Sequence, residues 1–172
     1  MAHCFFDLVN LYIPNFYKIK MNEKFISEEE YSKILDLMPI CCVDLIVKQE
    51  KQVLLVLREN KPAKNVWSFP GGRIFKGEKL EEAVLRKAKQ EIGIDVKILS
   101  KIGVYETIFK EANFKNVNSG THTINIVFIV EPIKDFKIKL DPTHSKLKWV
   151  NKIDNSLYPY VKGVLTDSGV FD

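Results

Sequence analysis

Residues 72–94 read GRIFKGEKLEEAVLRKAKQEIGI, and this stretch decides the fold. It begins with glycine, which lets another group approach the backbone closely because it has no side chain. Apolar residues then recur at helical spacing over residues 79–92, and Gly93 is the glycine expected after the last helical residue. The helix carries Glu91 in its last turn, and Mg²⁺ binds proteins through carboxylates together with phosphate and water. The stretch therefore predicts a site for a complex of a metal ion with a diphosphate.

The predicted helix also places side chains four residues apart on the same face. Lys87 should therefore lie beside Glu91, and Glu82 beside Arg86. Glu78, in the loop before the helix, and Arg86 could simply brace that loop against the helix. The stretch thus combines a candidate metal ligand with a lysine next to it.

The flanking sequence predicts further helices and strands. Ser27 and Glu30 have the spacing of a capping box, which marks the start of a helix. Four apolar residues share one face of that helix, which Pro39 ends: Tyr31, Ile34, Leu35 and Met38. Strands are predicted for residues 40–47 and 53–58, which form a hairpin, for 67–69, 96–109, 123–133 and 146–150, and a closing helix for 157–165. This order predicts the α/β class, with a mixed β-sheet sandwiched between α-helices.

Length and composition limit the classes of protein. The 172 residues fit one domain, which we assign to residues 21–172. We interpret residues 1–20, which are rich in aromatic and apolar residues, as a poorly structured extension or a misassigned start. The 26 basic and 22 acidic side chains are spread along the chain, which argues against nucleic acid as a partner. No apolar run reaches the ~20 residues of a membrane span, and three cysteines without C-x-x-C spacing indicate a reduced, cytoplasmic protein.

Six residues of the stretch match the Nudix box, G-x5-E-x7-R-E-U-x-E-E-x-G-U, in which U is a bulky apolar residue: Gly72, Glu78, Arg86, Glu91, Gly93 and Ile94. The chain therefore resembles the Nudix hydrolases. Two acidic positions of the box differ, since Lys87 and Gln90 stand where it has glutamates. In the family these glutamates belong to a carboxylate cluster that holds divalent ions for attack of water on phosphorus. Their loss predicts fewer bound metal ions or a different reaction.

Residues 25–149 are similar to the GDP-mannose mannosyl hydrolases, a Nudix subgroup with a comparably degraded box. The similarity is carried by motifs beyond the box: Asp44-Leu45-Ile46-Val47, Leu54-Leu55-x2-Arg58, Pro70-Gly71-Gly72-Arg73, Asn113-Phe114 and Asp141-x2-His144-x4-Trp149. The subgroup cleaves a nucleotide sugar at the anomeric carbon, and the resemblance implies the same type of substrate here. It also implies a homodimer, because in the family the N-terminal segment of one subunit crosses to the other.

The resemblance implies a role for each matching residue. The implied catalytic residues are His144 as the general base, Arg58 at the leaving diphosphate, Asp44 beside the anomeric carbon, and Arg73 and Arg86 at the phosphates or in the architecture of the site. The Gly71 carbonyl and the Glu91 carboxylate would hold one Mg²⁺ ion, or one Mn²⁺ ion. The implied substrate-binding residues are Phe25, Ile26, Tyr31 and Arg58.

Three departures from the subgroup bear on these roles. Thr143 replaces a glutamine that is a metal ligand in the subgroup, Ile108 replaces a histidine near the sugar, and Thr123 replaces a tyrosine. Each exchange removes a polar contact or weakens a ligand. The losses would suit another sugar or another nucleotide than those of the subgroup.

The sequence leaves three functions open. The leading hypothesis is a Mg²⁺-dependent hydrolase that cleaves a nucleoside-diphosphate sugar, GDP-mannose or GDP-glucose, into GDP and sugar. The second is a Nudix pyrophosphohydrolase that attacks phosphorus in ADP-ribose or in a nucleoside triphosphate. The third is a nucleotide-sugar-binding domain without turnover, which the eroded carboxylate set would explain.

Overall fold

The computed structural model describes residues 26–133 and 135–172. Its helices are α1 (Glu28–Leu37), α2 (Leu80–Lys87) and α3 (Pro159–Ser168), and α2 continues into a π-helical turn over Ala88–Ile92. Its strands are β1 (Ile40–Gln49), β2 (Gln52–Arg58), β3 (Trp67–Ser68), β4 (Gly71–Arg73), β5 (Val96–Phe109), β6 (Thr121–Pro132) and β7 (His144–Val150). Each helix and strand predicted from the sequence is present. Within the two described ranges, no helix combines the length and the apolar character needed to cross a membrane.

Helix α1 begins as the capping box predicts. The Ser27 hydroxyl accepts a hydrogen bond from the Glu30 backbone N–H, and the Glu30 carboxylate accepts one from the Ser27 backbone N–H. The expected place of Met38 on the apolar helix face is wrong, because Met38 is extended (φ −156°, ψ 151°) and 58% exposed. A proline disfavours the helical conformation in the residue before it, so Pro39 ends the helix earlier than the apolar spacing suggests.

The strands form one mixed, seven-stranded sheet. Its order is β3-β2-β1-β6-β5, with β4 beside β1 and β7 beside β2. Strand β1 is parallel to β6 and antiparallel to both β4 and β2. The antiparallel pairing of β1 with β2 confirms the predicted hairpin, and the mixture of parallel and antiparallel pairs confirms the predicted sheet type.

Alternate residues of β1 serve the two faces of the sheet. Val43 and Leu45 lie in the core on the α2 side, which includes Val84. Ile46 lies in the core on the α3 side, which includes Val161. Helices therefore cover both faces of the sheet, as the predicted α/β sandwich requires.

Three local features position the candidate site. Strand β4 lies along β1, and the π-helical turn after α2 carries Glu91 next to β4. Strand β7 begins at His144, whose sheet partner is Arg58 at the end of β2. The sequence predicted a regular helix up to residue 92, whereas its last turn is π-helical, a geometry that is frequent at functional sites.

Candidate active site

A cavity of about 220 Å³ opens on the α3 side of the sheet. Its wall combines aromatic rings, guanidinium groups, threonine hydroxyls and the backbone of β4. Five residues that the resemblance assigns to the site lie on this wall: Tyr31, Asp44, Arg58, Gly71 and Arg73. The fold thus brings together residues from α1, β1, β2 and β4.

Asp44 projects from β1 into the cavity wall, where its carboxylate accepts a hydrogen bond from the Tyr160 hydroxyl of α3. Loss of water around the carboxylate raises the pKa of Asp44 from 3.8 to about 6, and the charge of Glu91 adds to the rise. The Tyr160 hydrogen bond and the positive charges of Arg58 and Lys87 oppose that rise. Above pH 6 the site therefore holds a poorly hydrated carboxylate, which can accept hydroxyl hydrogen bonds or face a positive charge.

Three polar side chains of β5 and β6 continue the cavity wall. The hydroxyl oxygens of Thr107 and Thr123 are 2.7 Å apart, and the Asn125 amide nitrogen lies 3.5 Å from the Thr107 hydroxyl. Asn125 pairs with Cys42 in the sheet, which puts it on the face that Asp44 shares. Groups that both donate and accept hydrogen bonds suit a ligand that is rich in hydroxyl groups.

Two arginines give the cavity a positively charged side. Arg58 Nε donates a hydrogen bond to the Pro62 carbonyl at 3.1 Å. The Arg73 guanidinium lies 4.6 Å from the centre of the Tyr31 ring. Guanidinium groups bind phosphate through paired N–H donors. The cavity therefore combines a side suited to phosphates with a wall suited to hydroxyl groups.

Glu91 joins the end of the helix to strand β4. Its Oε2 accepts a hydrogen bond from the Gly71 backbone N–H at 2.8 Å, and its Oε1 lies 3.0 Å from Lys87 Nζ. The predicted contact between Lys87 and Glu91 is thus confirmed. The Glu91 side chain is 9% exposed, so a buried carboxylate has a donor on each oxygen.

His144 is held by the carboxylate of Asp141. His144 Nδ1 lies 2.8 Å from Asp141 Oδ1, and the Thr143 hydroxyl donates to the same carboxylate. This contact favours a proton on Nδ1 and leaves Nε2 free to accept one. His144 Nε2 lies 3.9 Å from Glu91 Oε2, and the imidazole is 3% exposed. The Asp141 carboxylate therefore fixes the orientation of the imidazole, whose Nε2 faces Glu91.

Arg86 lies away from the cavity wall and braces the loop between β4 and α2. It donates hydrogen bonds to the Glu78 carboxylate at 2.6 and 2.8 Å and to the Arg73 carbonyl at 3.0 Å. Arg86 therefore pairs with Glu78 rather than with Glu82, whose carboxylate accepts the Lys79 backbone N–H. The contacts are those of the bracing role that the sequence left open for Glu78 and Arg86.

Residues 39–163 match the NUDIX domain family. The chain belongs to the Nudix family. Over 140 residues it is 36% identical to the low-salt glycan biosynthesis protein Agl8 of Haloferax volcanii, and this match covers 81% of this chain and 88% of that protein. Over 131 residues it is 33% identical to an ADP-ribose pyrophosphatase of Methanocaldococcus jannaschii, and this match covers 76% of this chain and 73% of that protein.

The fold of this Nudix protein also matches a solved structure. The crystal structure of a MutT NUDIX hydrolase from Burkholderia pseudomallei has a TM-score of 0.63 and 22% sequence identity, and the match covers 76% of this chain and 98% of that chain. This likeness shows the fold alone. Together with the family match it confirms the predicted Nudix fold, and a Nudix hydrolase acts on a substrate derived from a nucleotide.

Nudix hydrolases generally use divalent metal ions, but the donor set of this one departs from the usual cluster. Gly71 pairs with Asp44, but the ladder bond beside them runs from the Leu45 N–H to the Pro70 carbonyl. In an antiparallel ladder the N–H and C=O of Gly71 then both point away from β1, and the N–H reaches Glu91. The Lys87 ammonium already pairs with Glu91. Within residues 26–133 and 135–172, no three His, Cys, Asp or Glu side chains are grouped to hold a metal ion. The residues as arranged do not form the oxygen-rich site that a divalent ion prefers.

The remaining predicted site residues lie in different places. Glu91 and His144 lie next to each other behind β4, and Gly71 connects them to the cavity because it lines the wall and donates to Glu91. Ile26 precedes α1 and is not on the part of the cavity wall that the structure describes. Phe25 lies outside the described residues.

Sequence reasoning missed the residues that hold His144 and Asp44 in place. Asp141 orients His144 from three residues away, and the D-x2-H spacing inside the quoted motif was the available signal. Tyr160 and Asp44 are 116 residues apart in the sequence, and no local sequence pattern predicts their contact. A carboxylate in an apolar strand requires a partner, so a partner for Asp44 was expected. The sequence did not show that this partner is Tyr160.

Proposed function

We propose that this Nudix hydrolase cleaves a nucleoside-diphosphate sugar, with GDP-mannose and GDP-glucose as the first candidates, into nucleoside diphosphate and free sugar. The observation that carries the proposal is the contact between Asp44 and Tyr160 in a cavity whose wall also holds Arg58. A carboxylate among hydroxyl groups suits a sugar, and a guanidinium suits a diphosphate. Lys87 at the end of α2 and Gln90 in the π-helical turn replace two acids of the family box. This loss supports the same reaction, because in the box those acids serve attack on phosphorus.

In the proposed reaction, water attacks the anomeric carbon of the sugar. The bond from that carbon to the diphosphate oxygen breaks, its electron pair leaves with the nucleoside diphosphate, and the water oxygen forms the new bond to carbon. Attack from the side opposite the leaving group inverts the configuration of the sugar. The products are therefore a nucleoside diphosphate and a sugar of inverted anomeric configuration.

Four side chains supply the chemistry of this step. The Asp44 carboxylate stabilises the positive charge that develops on the anomeric carbon, and Arg58 stabilises the negative charge on the leaving diphosphate. The resemblance makes His144 the general base, and Asp141 holds its Nδ1, so that Nε2 is the atom that would take the proton of the attacking water. Because His144 lies behind β4, this role requires the attacking water to reach the imidazole past Gly71. Arg73, beside Tyr31 on the cavity wall, adds positive charge for the phosphates.

Two relatives favour different substrates. The name of the Haloferax volcanii protein connects it with glycan biosynthesis, which supports a sugar-containing substrate here. The Methanocaldococcus jannaschii relative is an ADP-ribose pyrophosphatase, which favours a second candidate, attack on phosphorus in ADP-ribose or in a nucleoside triphosphate. Lys87 and Gln90 in place of two acids of the box argue for the first candidate.

Several finer expectations belong to the same proposal. One Mg²⁺ or Mn²⁺ ion between the Gly71 carbonyl and Glu91 stays a prediction of the resemblance, and such an ion would have to share Glu91 with Lys87. The contacts of Ile26 and Tyr31 with the nucleotide, the homodimer and the cytoplasmic location also stay predictions, as does the expectation of neither nucleic-acid nor membrane partners.

Chromatography of the products from a panel of nucleotide sugars, ADP-ribose and nucleoside triphosphates tests the proposal. We expect nucleoside diphosphate and free sugar, whereas nucleoside monophosphate would support the second candidate. Binding without any product would support the third hypothesis, a nucleotide-sugar-binding domain without turnover. His144→Gln should lower kcat by about 10²–10⁴-fold, whereas His122→Gln should not, because His122 lies at a partly exposed position beside Glu106.

A further inference from the structure

Lys87 holds an unusual position for a lysine of a surface helix. Its Nζ lies 3.0 Å from Glu91 Oε1, and its side chain is only 18% exposed. A Cβ added to Gly72 would come within 2.8 Å of Lys87 Nζ, so the ammonium lies against the backbone of a residue that lines the cavity. The positive charge of Lys87 also acts on two buried groups of β1. It lowers the pKa of both Asp44 and Cys42, although burial raises each pKa by more.

The charge balance of this region depends on that ammonium. A buried carboxylate requires a positive partner, since an unpaired ion in poorly hydrated surroundings costs several kcal/mol in order of magnitude. Lys87 is that partner for Glu91, whose other oxygen is taken by the Gly71 N–H. A divalent ion at Oε1 would have to share that oxygen with Lys87, and the two like charges would repel each other. The ammonium therefore occupies the place where the family box would direct a metal ion.

We propose that the Lys87 ammonium is the resident cation of this site and that it neutralises the diphosphate of the substrate in place of a divalent ion. Arg58 and Arg73 line the cavity, whereas Lys87 lies behind the wall, against Gly72. A diphosphate bound along Gly72 would therefore meet the charge of Lys87 in addition to those of the two arginines. An ammonium can pair with a phosphate oxygen while it keeps its contact with Glu91, because it has three donors. The proposal uses the proposed function only in taking a diphosphate as the ligand.

Calorimetry with inorganic pyrophosphate and with GDP tests the binding part of the proposal on the full chain. In EDTA the protein should bind both probes, and Mg²⁺ should change the Kd less than threefold. Lys87→Met should weaken binding in EDTA by about tenfold or more, as expected for loss of a charged hydrogen bond. Lys87→Arg should keep most of the affinity. Lys89→Met is the matched control, because Lys89 pairs with Asp95 at an exposed position of the same helical segment.

Two results would overturn the proposal. One is binding of pyrophosphate and GDP that requires Mg²⁺ in the unaltered protein. The other is a Lys87→Met variant that folds and binds both probes as the unaltered protein does, which would reduce Lys87 to a structural ion pair with Glu91. If Lys87→Met does not fold, two measurements still test the proposal. They are the binding of the unaltered protein in EDTA and with Mg²⁺, and the affinity of the Lys87→Arg variant.

Mn²⁺ binding, followed by the paramagnetic resonance of the free ion, tests the same proposal without any nucleotide. The unaltered protein should bind Mn²⁺ at least tenfold more weakly than Lys87→Glu, which returns a carboxylate to this position of the box. Lys89→Glu makes the same change of charge away from Glu91 and should not strengthen binding. Equal Mn²⁺ affinity of the unaltered protein and Lys87→Glu would contradict the proposal, whereas failure to cleave any nucleotide sugar would leave this measurement intact.

Discussion

The hydroxyl of Tyr160 donates a hydrogen bond to the carboxylate of Asp44, and this contact joins the C-terminal helix to the central strand of the sheet. The Tyr160 ring is held in place by Phe69 and Tyr105, which pack edge-on against it with ring centres 6.3 Å away. Because the ring is fixed, its hydroxyl is presented to Asp44 in one direction. Helix α3 is thus part of the candidate site as well as a cover for the sheet.

Tyr160→Phe should shift the acidic limb of the pH profile of kcat/KM to higher pH. The Tyr160 hydrogen bond lowers the pKa of Asp44 against the effect of burial, so its removal lets that pKa rise above about 6. A larger fraction of Asp44 is then protonated at pH 6.5, and activity there should fall several-fold more than at pH 8.5. Tyr105→Phe, which keeps the ring packing around Tyr160, is the control. An unchanged profile for Tyr160→Phe would contradict the assigned role of Asp44.

Asp44→Asn should stabilise the fold at neutral pH while it removes activity. The pKa of Asp44 is raised in the folded protein from 3.8 to about 6, so its ionisation opposes folding. The penalty is absent below about pH 3.8, grows up to about pH 6 and is complete above it. A shift of this size corresponds to a penalty on the order of 3 kcal/mol, which the neutral amide avoids while it can still accept the Tyr160 hydrogen bond.

Urea unfolding of both proteins at pH 4 and pH 7.5 measures this effect. The gain in the free energy of unfolding from Asp44→Asn should appear at pH 7.5 and nearly vanish at pH 4. Asp36→Asn is the control of opposite sign, because hydrogen bonds from Ser119 and Asn118 lower the pKa of Asp36. A loss of stability for Asp44→Asn at pH 7.5 would show that the ionised carboxylate is better stabilised than its surroundings indicate.

Arg86→Ala should act through stability. The Glu78 side chain is 1% exposed and would lose its positive partner, a change that costs about 3–5 kcal/mol for a buried pair. Lys33→Ala removes an exposed partner of Glu29 and should cost less than about 1 kcal/mol. Urea unfolding compares the two losses. A small loss of stability with a large loss of kcat would place Arg86 at the phosphates, as the subgroup resemblance also allows.

The parts of the site that the sequence predicted are local or follow from the box. The contact between Lys87 and Glu91 follows from their spacing on one helix, and the glycines of β4 mark the close approach of Glu91. The π-helical turn was not predicted, because its apolar residues fit a regular helix equally well. The short helix α1 was predicted to within its last residues, and Met38 was misplaced only because the proline effect outweighed apolar spacing.

The long-range parts of the site could not be predicted from the sequence. Strand order decides that Asn125 of β6 lies next to Cys42 of β1, and Thr107 reaches Thr123 only through the pairing of β5 with β6. Neither pairing leaves a pattern in the sequence around these residues. The polar wall of the cavity is therefore a product of sheet topology, and it supports a hydroxyl-rich ligand more directly than the box does.

Hydrolysis of a nucleotide sugar in ¹⁸O-labelled water tests the central claim, cleavage at the anomeric carbon, most directly. The nucleotide sugar that turns over best is used, and both products are analysed by mass spectrometry at short reaction times. The account predicts label in the released sugar and an unlabelled nucleoside diphosphate. Label in a phosphate group of the nucleotide or in a sugar phosphate would contradict it, because the water oxygen would then have attacked phosphorus.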